Sequence, residues 1–284
     1  MEPLRKIFKI GKEVDTAFKY IGIEMNQGWR EITIRQDAYI SSINEINIDF
    51  SLGLDKDRPV CVEEKKHFRS VVGQLAWSSS ITRPDISFLV CELSTCQSSP
   101  KLSDLMKANK AIQALKTDRL VIRFGPIELK AARLVFFSDA SHANLLDGGS
   151  QGGYIIFLCD ASNNCCPLAW TSKRIKRVAK STLSAETQSA IEAVETAQML
   201  QQFLQEILPG VSLDVELYVD CKSLYDAINT TNLLSDKRLR IDIALLREMV
   251  ERSELKVKWI QTKAQVADIL TKCGPSRINL VKIL

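Results

Sequence analysis

The 284-residue sequence has little histidine, glycine or proline, and its cysteines form no recognisable metal motif. Glycine and proline number only 12 and 8, which excludes collagen-like and low-complexity chains. The 2 histidines, His67 and His142, and 8 cysteines without a Cys-x-x-Cys pair leave little material for a zinc site or a Cys/His nucleophile. We therefore expect no zinc, and any metal must be a hard cation held by carboxylates.

Long apolar runs are also missing. Runs such as residues 155–159 are far shorter than the ~20 residues that cross a bilayer. Residues 4–9 alternate charged with apolar side chains, which is unlike a secretory leader. The sequence thus predicts an intracellular protein without a signal peptide or transmembrane segment, whose cysteines are mostly reduced, inert thiols.

A strong charge of one sign is the third feature that the sequence lacks. Its 38 basic and 34 acidic residues give a net charge of +4, which is too weak to indicate a partner. An apolar fraction of 45% and a charged fraction of 25% are ordinary for a folded chain. The length suggests about two domains, each of ~100–200 residues.

The first half of the chain combines short strand signals with helical periodicity. We predict strands at 18–24 and 31–34, a short helix over 38–46 and a polar linker over 51–66. Apolar residues then recur at spacings of three and four, which predicts helices from about His67 to the break at Pro84, over 86–96, and after Ser103. None of these segments contains a recognisable reactive group, so we expect them to pack and to position something else.

The second half has the strand and helix order of an α/β domain. The predicted strands lie at 134–137, 153–159, 167–171, 215–219 and 254–260, and the helices at 182–208, 222–229, 239–252 and 265–272. Three strands in succession require antiparallel pairing, and the later strands alternate with helices. The order predicts a mixed five-stranded sheet with flanking helices.

Four acids stand at positions suited to chemistry in this domain. Asp139 and Asp220 directly follow apolar strands, where catalytic groups gather, although a solvated turn aspartate is the alternative for each. Glu186 lies on the apolar stripe of the long helix, where an unpaired carboxylate is costly, although a role in capping the helix N-terminus is the alternative. Asp268 lies in the first turn of the last helix, where it could simply stabilise the helix. Together, four converging carboxylates suit two divalent cations about 4 Å apart.

Residues 133–284 resemble the ribonuclease H domain of Ty1/copia-type retrotransposon Pol polyproteins. The similar segments are FSDAS at 137–141, SQGGY at 150–154, AWTSK at 169–173, STLSAE at 181–186, VDCKSL at 219–224 and ADILTK at 267–272. The resemblance implies that Asp139, Glu186, Asp220 and Asp268 are catalytic and bind two Mg²⁺ or Mn²⁺ ions. It also implies metal-dependent hydrolysis of the RNA strand of an RNA–DNA hybrid.

The resemblance extends upstream. Residues 18–23 and 36–40 look like the C-terminal end of the copia-type reverse transcriptase, and 72–75 with 82–86 resemble the connection that follows it. We therefore expect a thumb-like remnant over 1–50, a mostly helical connection over 51–132, and the ribonuclease H-like domain over 133–284. The chain has no Asp-Asp dipeptide, so we expect the polymerase core to be absent and the reverse transcriptase core to be a partner in a polyprotein.

Two further expectations follow from the resemblance. A Ty1/copia-type product would be cytoplasmic, in a virus-like particle, with nuclear entry left open. Many ribonucleases H also place a histidine in the loop before the last helix. Neither His67 nor His142 lies there, so that role is unfilled or is taken by another group.

Clustered cations supply the predicted nucleic-acid contacts. The cations that we expect on the phosphates of the hybrid are Lys173, Arg174, Lys176, Arg177, Lys180, Lys237, Arg238 and Arg240. A merely solvated charged face is the alternative. Trp170 and Trp259 are interpreted as strand core rather than as surfaces on which bases stack. A second hypothesis for the whole chain is a catalytically inactive or co-opted nucleic-acid-binding remnant of a retrotransposon Pol.

Overall fold

The computed structural model of the chain describes residues 16–52, 55–145, 147–230, 236–272, 280 and 283. Residues 4–9, considered above as a possible leader, and Cys273, one of the 8 cysteines, lie outside these ranges. The strands of the first sheet are β1 (Ala17–Tyr20), β2 (Ile23–Gln27), β3 (Ile32–Arg35) and β4 (Ile122–Phe124). They are antiparallel in the order β1-β2-β3-β4, so β4 joins the sheet from far along the chain.

The single strand predicted over 18–24 is in fact a hairpin. Ile21 and Gly22 have positive φ angles of 49° and 79°, and the chain turns there between β1 and β2. The prediction was wrong because a β-branched isoleucine rarely adopts the left-handed region. A continuous apolar run therefore gave no sign of the turn.

Four helices follow or lie between these strands. They are α1 (Asp37–Ser42), α2 (Val62–Ile81), α3 (Ser87–Thr95) and α4 (Leu102–Thr117), and they share a core that includes Phe68, Leu75 and Ile112. Helix α2 begins at Val62, inside the predicted linker 51–66. Its start is fixed by Glu64, which accepts from the Cys61 N–H at 3.0 Å and pairs with the buried Arg58 guanidinium.

The second sheet confirms the predicted mixed five-stranded arrangement. Its strands are β5 (Arg133–Ser141), β6 (Gln151–Cys159), β7 (Cys165–Arg174), β8 (Asp214–Val219) and β9 (Lys256–Trp259). Their order is β7-β6-β5-β8-β9. The hairpin partners β5, β6 and β7 are antiparallel, whereas β8 is parallel to β5 and β9 to β8.

Helices cover one face of this sheet. They are α5 (Thr182–Ile207), α6 (Lys222–Asn229) and α7 (Lys237–Glu251), and they pack on Phe136 and Leu217. The other face, with Val135 and Phe157, is covered by a 3-10 turn at Val266–Leu270, where a regular helix was predicted over 265–272. No helix in the described ranges combines the length and the apolar character needed to cross a membrane.

One pair of cysteines departs from the expectation of reduced thiols. Cys159 and Cys165 form a disulfide, while the other described cysteines are free. The two residues stand directly opposite each other in the β6–β7 ladder. The antiparallel register brings their side chains together. The prediction of reduced thiols rested on the expected cellular compartment and took no account of this pairing.

Candidate active site

Three carboxylates meet at one edge of the second sheet. Asp139 lies near the C-terminal end of β5, Asp220 directly follows β8, and Glu186 lies in the second turn of α5. Because β5 and β8 are parallel neighbours, their C-terminal ends share this edge. Carboxylate oxygens of the three residues all lie within 4.8 Å of one another.

The close approach of α5 to the sheet turns Glu186 inward. Ser181 caps the helix by accepting from the Ser184 N–H at 3.2 Å. One turn beyond Glu186, the Ser189 hydroxyl donates to the backbone carbonyl of Asp139 at 2.9 Å. A Cβ at Gly152 would lie 3.2 Å from that hydroxyl oxygen, so glycine is what lets the helix come this near.

Burial and neighbouring negative charge oppose the ionisation of Asp139 and Glu186. Burial raises the pKa of Asp139 to about 6, with a further contribution from Asp220, although a hydrogen bond from Thr271 opposes the shift. Burial, Asp139 and Asp220 also raise the pKa of Glu186 well above its usual value. The Glu186 Oε2 atom is buried and has no hydrogen-bond partner among the described residues. Oxygen donors and excess negative charge fit a hard divalent cation.

Asp268 lies beside this cluster but is not a member of it. It is carried by the 3-10 turn Val266–Leu270 and is buried. Its carboxylate forms an ion pair with the ammonium of Lys272. Burial opposes the charge of Lys272, but Asp268, Asp139 and Asp220 raise its pKa above the usual value. The structure thus brings all four predicted acids to one edge and groups three of them tightly.

Sequence reasoning missed three polar residues that hold the acids. The Thr271 hydroxyl donates to Asp139 Oδ2. The Gln265 amide donates to the Ser138 carbonyl at 2.9 Å and lies 3.5 Å from Asp220 Oδ1. Lys272 is the third. Thr271 and Lys272 lie inside the ADILTK segment, but nothing in their spacing separates them from ordinary polar residues at the end of a helix.

Four of the eight predicted phosphate-binding cations form ion pairs. Lys173 pairs with Glu192 at 2.9 Å. Arg177 and Lys180 pair with Asp242 and Asp236, which ties the segment after β7 to the start of α7 and brings the two basic clusters together. Arg174 pairs with Asp147. The other four cations of the set are exposed: Lys176, Lys237, Arg238 and Arg240. Their contact with nucleic acid stays a prediction.

The two tryptophans differ in their environments. Trp170 is half-buried, and its indole N–H donates to the Ser79 carbonyl at 2.8 Å. Trp259 is 43% exposed and donates to the Asp220 carbonyl at 3.0 Å, with the Lys222 ammonium 5.8 Å from its ring. The interpretation of Trp259 as strand core was wrong, because β9 is an edge strand and its end is open to solvent.

A mixed sheet of this order, with carboxylates at the ends of β5 and β8 and on α5, defines a ribonuclease H-like domain. The chain is a distant homologue of Ty1/copia-type Pol polyproteins over most of its length. It is 30% identical, over 96% of its residues, to the retrovirus-related Pol polyprotein from transposon TNT 1-94 of Nicotiana tabacum. It is also 30% identical, over 72% of its residues, to the corresponding polyprotein from transposon RE1 of Arabidopsis thaliana.

These matches cover only part of the relatives. The chain spans 22% of the tobacco polyprotein and 14% of the Arabidopsis one. No protein-family model matches the chain. Among solved structures, RNase H1 from the halophilic archaeon Halobacterium salinarum NRC-1 aligns at 18% identity and a TM-score of 0.37, over 49% of this chain and 94% of that one.

Proposed function

We propose that this chain is a retrotransposon-derived ribonuclease H, which hydrolyses the RNA strand of an RNA–DNA hybrid with two Mg²⁺ or Mn²⁺ ions. The observation that carries the proposal is the buried cluster of Asp139, Glu186 and Asp220, with oxygens within 4.8 Å, at the carboxyl edge of this sheet. Asp268 would complete the set of ligands. The homology to Pol polyproteins supports this function. We propose no polymerase activity, since the chain has no paired aspartates.

In this proposal some residues of the site would bind the metal ions, and others orient the residues that bind them. When bound, two divalent ions would activate the attacking water and stabilise the departing 3′ oxygen. The four acids would hold those ions. Thr271 fixes one oxygen of Asp139 through its hydroxyl, and Ser189 fixes the backbone of the same residue. The side chain of Gln265 contacts Asp220 and the end of β5, and it thereby holds its own loop against the site.

The basic segments would hold the substrate by its backbone. Lys176, Lys237 and Arg238 are exposed, and contacts from such side chains to phosphates position a duplex without reading its sequence. Arg177 and Lys180 would exchange an acidic partner for a phosphate. In a polyprotein, an upstream reverse transcriptase core would deliver the hybrid.

Cleavage of an RNA–DNA hybrid by the purified full chain tests this proposal. We expect Mg²⁺-dependent cleavage of the RNA strand, and we expect Asp220→Asn to lower the rate by about a hundredfold or more, because a metal ligand is lost. The matched control is Asp214→Asn at the opposite end of β8, where an exposed aspartate pairs with Lys256. This control should cleave like the wild type.

Two outcomes would contradict the enzyme hypothesis. One is a folded wild-type chain that does not cleave, and the other is undiminished cleavage by Asp220→Asn. Salt-sensitive binding of the hybrid without cleavage would instead support the catalytically inactive, nucleic-acid-binding remnant.

A further inference from the structure

Lys272 is a cation at the solvent side of the carboxylate site. Its ammonium pairs with Asp268, and its charge also acts on Asp139, Asp220 and Glu186. The side chain of Asp268 is 11% exposed, whereas that of Lys272 is 47% exposed. The ammonium therefore approaches a buried carboxylate from the solvent side.

The backbone holds Lys272 in this place. The N–H groups of Thr271 and Lys272 both donate to the Asp268 carbonyl at 3.2 Å, so Lys272 lies one turn after the acid it neutralises. The neighbouring Thr271 side chain is anchored on Asp139. The cation thus belongs to the same short segment that contributes the fourth acid, and it forms an ion pair with that acid's carboxylate.

Asp268 cannot serve Lys272 and a divalent ion fully at the same time. Three acids already lie within 4.8 Å of one another, and Asp268, held by Lys272, is outside that group. Four carboxylates and two divalent cations are formally neutral together. A loaded site therefore leaves the ammonium no negative charge to balance.

We propose that Lys272 is an exchangeable counter-ion, which neutralises Asp268 in the metal-free chain and leaves that carboxylate when a divalent ion binds. The inference rests on the metal site of the proposed function and adds a positioning residue to it. Lys272 stabilises the acidic site before metal arrives and weakens the apparent affinity for metal, because the ion pair is broken on binding.

Calorimetric titration of the full chain with Mn²⁺ tests this exchange. We expect Lys272→Met to bind Mn²⁺ about fivefold more tightly than the wild type, since an ion pair of ordinary strength no longer competes. Lys272→Arg retains the charge and should bind like the wild type. The matched control is Lys256→Met, which removes a surface Lys–Asp pair at the far end of β8 and should leave the affinity unchanged.

A double-mutant cycle separates a direct exchange from a general effect of charge. In an Asp268→Asn background, Lys272→Met should change the Mn²⁺ affinity by less than about twofold, because the competing pair is already gone. An equal gain in both backgrounds would overturn the inference. So would unchanged or weaker binding by Lys272→Met when the wild type binds, and the proposed function would then still stand. A wild-type chain that takes up no Mn²⁺ would overturn both.

Discussion

The buried carboxyl group of Asp139 lowers the free energy of unfolding when it is ionised. Burial raises its pKa to about 6, so the folded chain binds a proton there more readily than the unfolded chain. Its stabilising contribution is therefore fully present below about pH 4 and is lost as the pH rises through about 6. A buried cluster of carboxylates therefore makes the protein less stable near neutral pH than in mild acid.

Asp139→Asn removes this pH dependence. We expect the chelator-treated variant to exceed the wild type in free energy of unfolding by about 3 kcal/mol at pH 7, and the gain to fall below about 1 kcal/mol near pH 4. Urea unfolding at a series of pH values between these limits measures the difference. Asp214→Asn, which alters an exposed aspartate, should show no such crossover. Parallel profiles for Asp139→Asn and the wild type would contradict the prediction.

The meeting of three acids at one edge of the sheet could be predicted from the sequence, but the residues that hold them in place could not. Asp139 and Asp220 follow apolar strands, and Glu186 interrupts an apolar stripe, so each stands out against its local pattern. Thr271 and Gln265 do not stand out. Their roles depend on hydrogen bonds to residues 132 and 127 positions away, which only the folded chain brings within reach.

Strand β6 and the 3-10 turn Val266–Leu270 approach each other unusually closely. A Cβ built on Gly153 would lie 2.6 Å from the Leu270 Cβ and 3.1 Å from its carbonyl oxygen. Real Cβ atoms do not come so near, so any side chain at 153 must displace the turn. That turn carries Asp268 and leads into Thr271. The glycine pair in SQGGY thus provides the space for both α5 and the acid-bearing turn.

Gly153→Ala should therefore damage both stability and metal binding. We expect a loss of about 1–3 kcal/mol in free energy of unfolding, the usual cost of overpacking, together with weaker Mn²⁺ uptake. Chemical denaturation and calorimetry measure the two effects. The matched control is Gly73→Ala in α2, where a Cβ meets nothing within 4 Å and alanine favours the helix. A Gly153→Ala protein as stable as the wild type would contradict this account.

Element types were easier to predict than element boundaries. The strands and helices of the second sheet follow clear periodicities, and their order was correct. The 3-10 turn Val266–Leu270 was predicted as a helix because five residues are too few to distinguish the two forms. The hairpin at Ile21 and the early start of α2 depend on a strained turn and on a buried ion pair, neither of which has a sequence period.

The N-terminal helices reach the site through a chain of polar contacts. The Cys91 thiol on α3 donates to the Gln151 side-chain oxygen at 3.7 Å, and the Gln151 amide donates to the Ser172 hydroxyl at 2.9 Å. Ser172 in turn donates to the Leu270 carbonyl at 2.5 Å. The acid-bearing turn is therefore supported by β6 and β7, which themselves contact the helices. From this continuity we expect the described parts of the two halves to unfold together.

Trp170→Phe tests that continuity. Ser79 lies near the C-terminal end of α2, where carbonyls lack helical partners, and the Trp170 indole satisfies one of them across the two halves. Removing only the N–H should lower the free energy of unfolding by about 1–2 kcal/mol. The chain should still unfold in one cooperative transition, with the same lowered midpoint in far-UV circular dichroism and in the hydrogen-exchange protection of the α2 amides. Trp259→Phe, whose indole is half exposed at an edge strand, should cost less. Two separate transitions, with only one shifted by Trp170→Phe, would show that the halves are independently stable and that the helices do not support the acids.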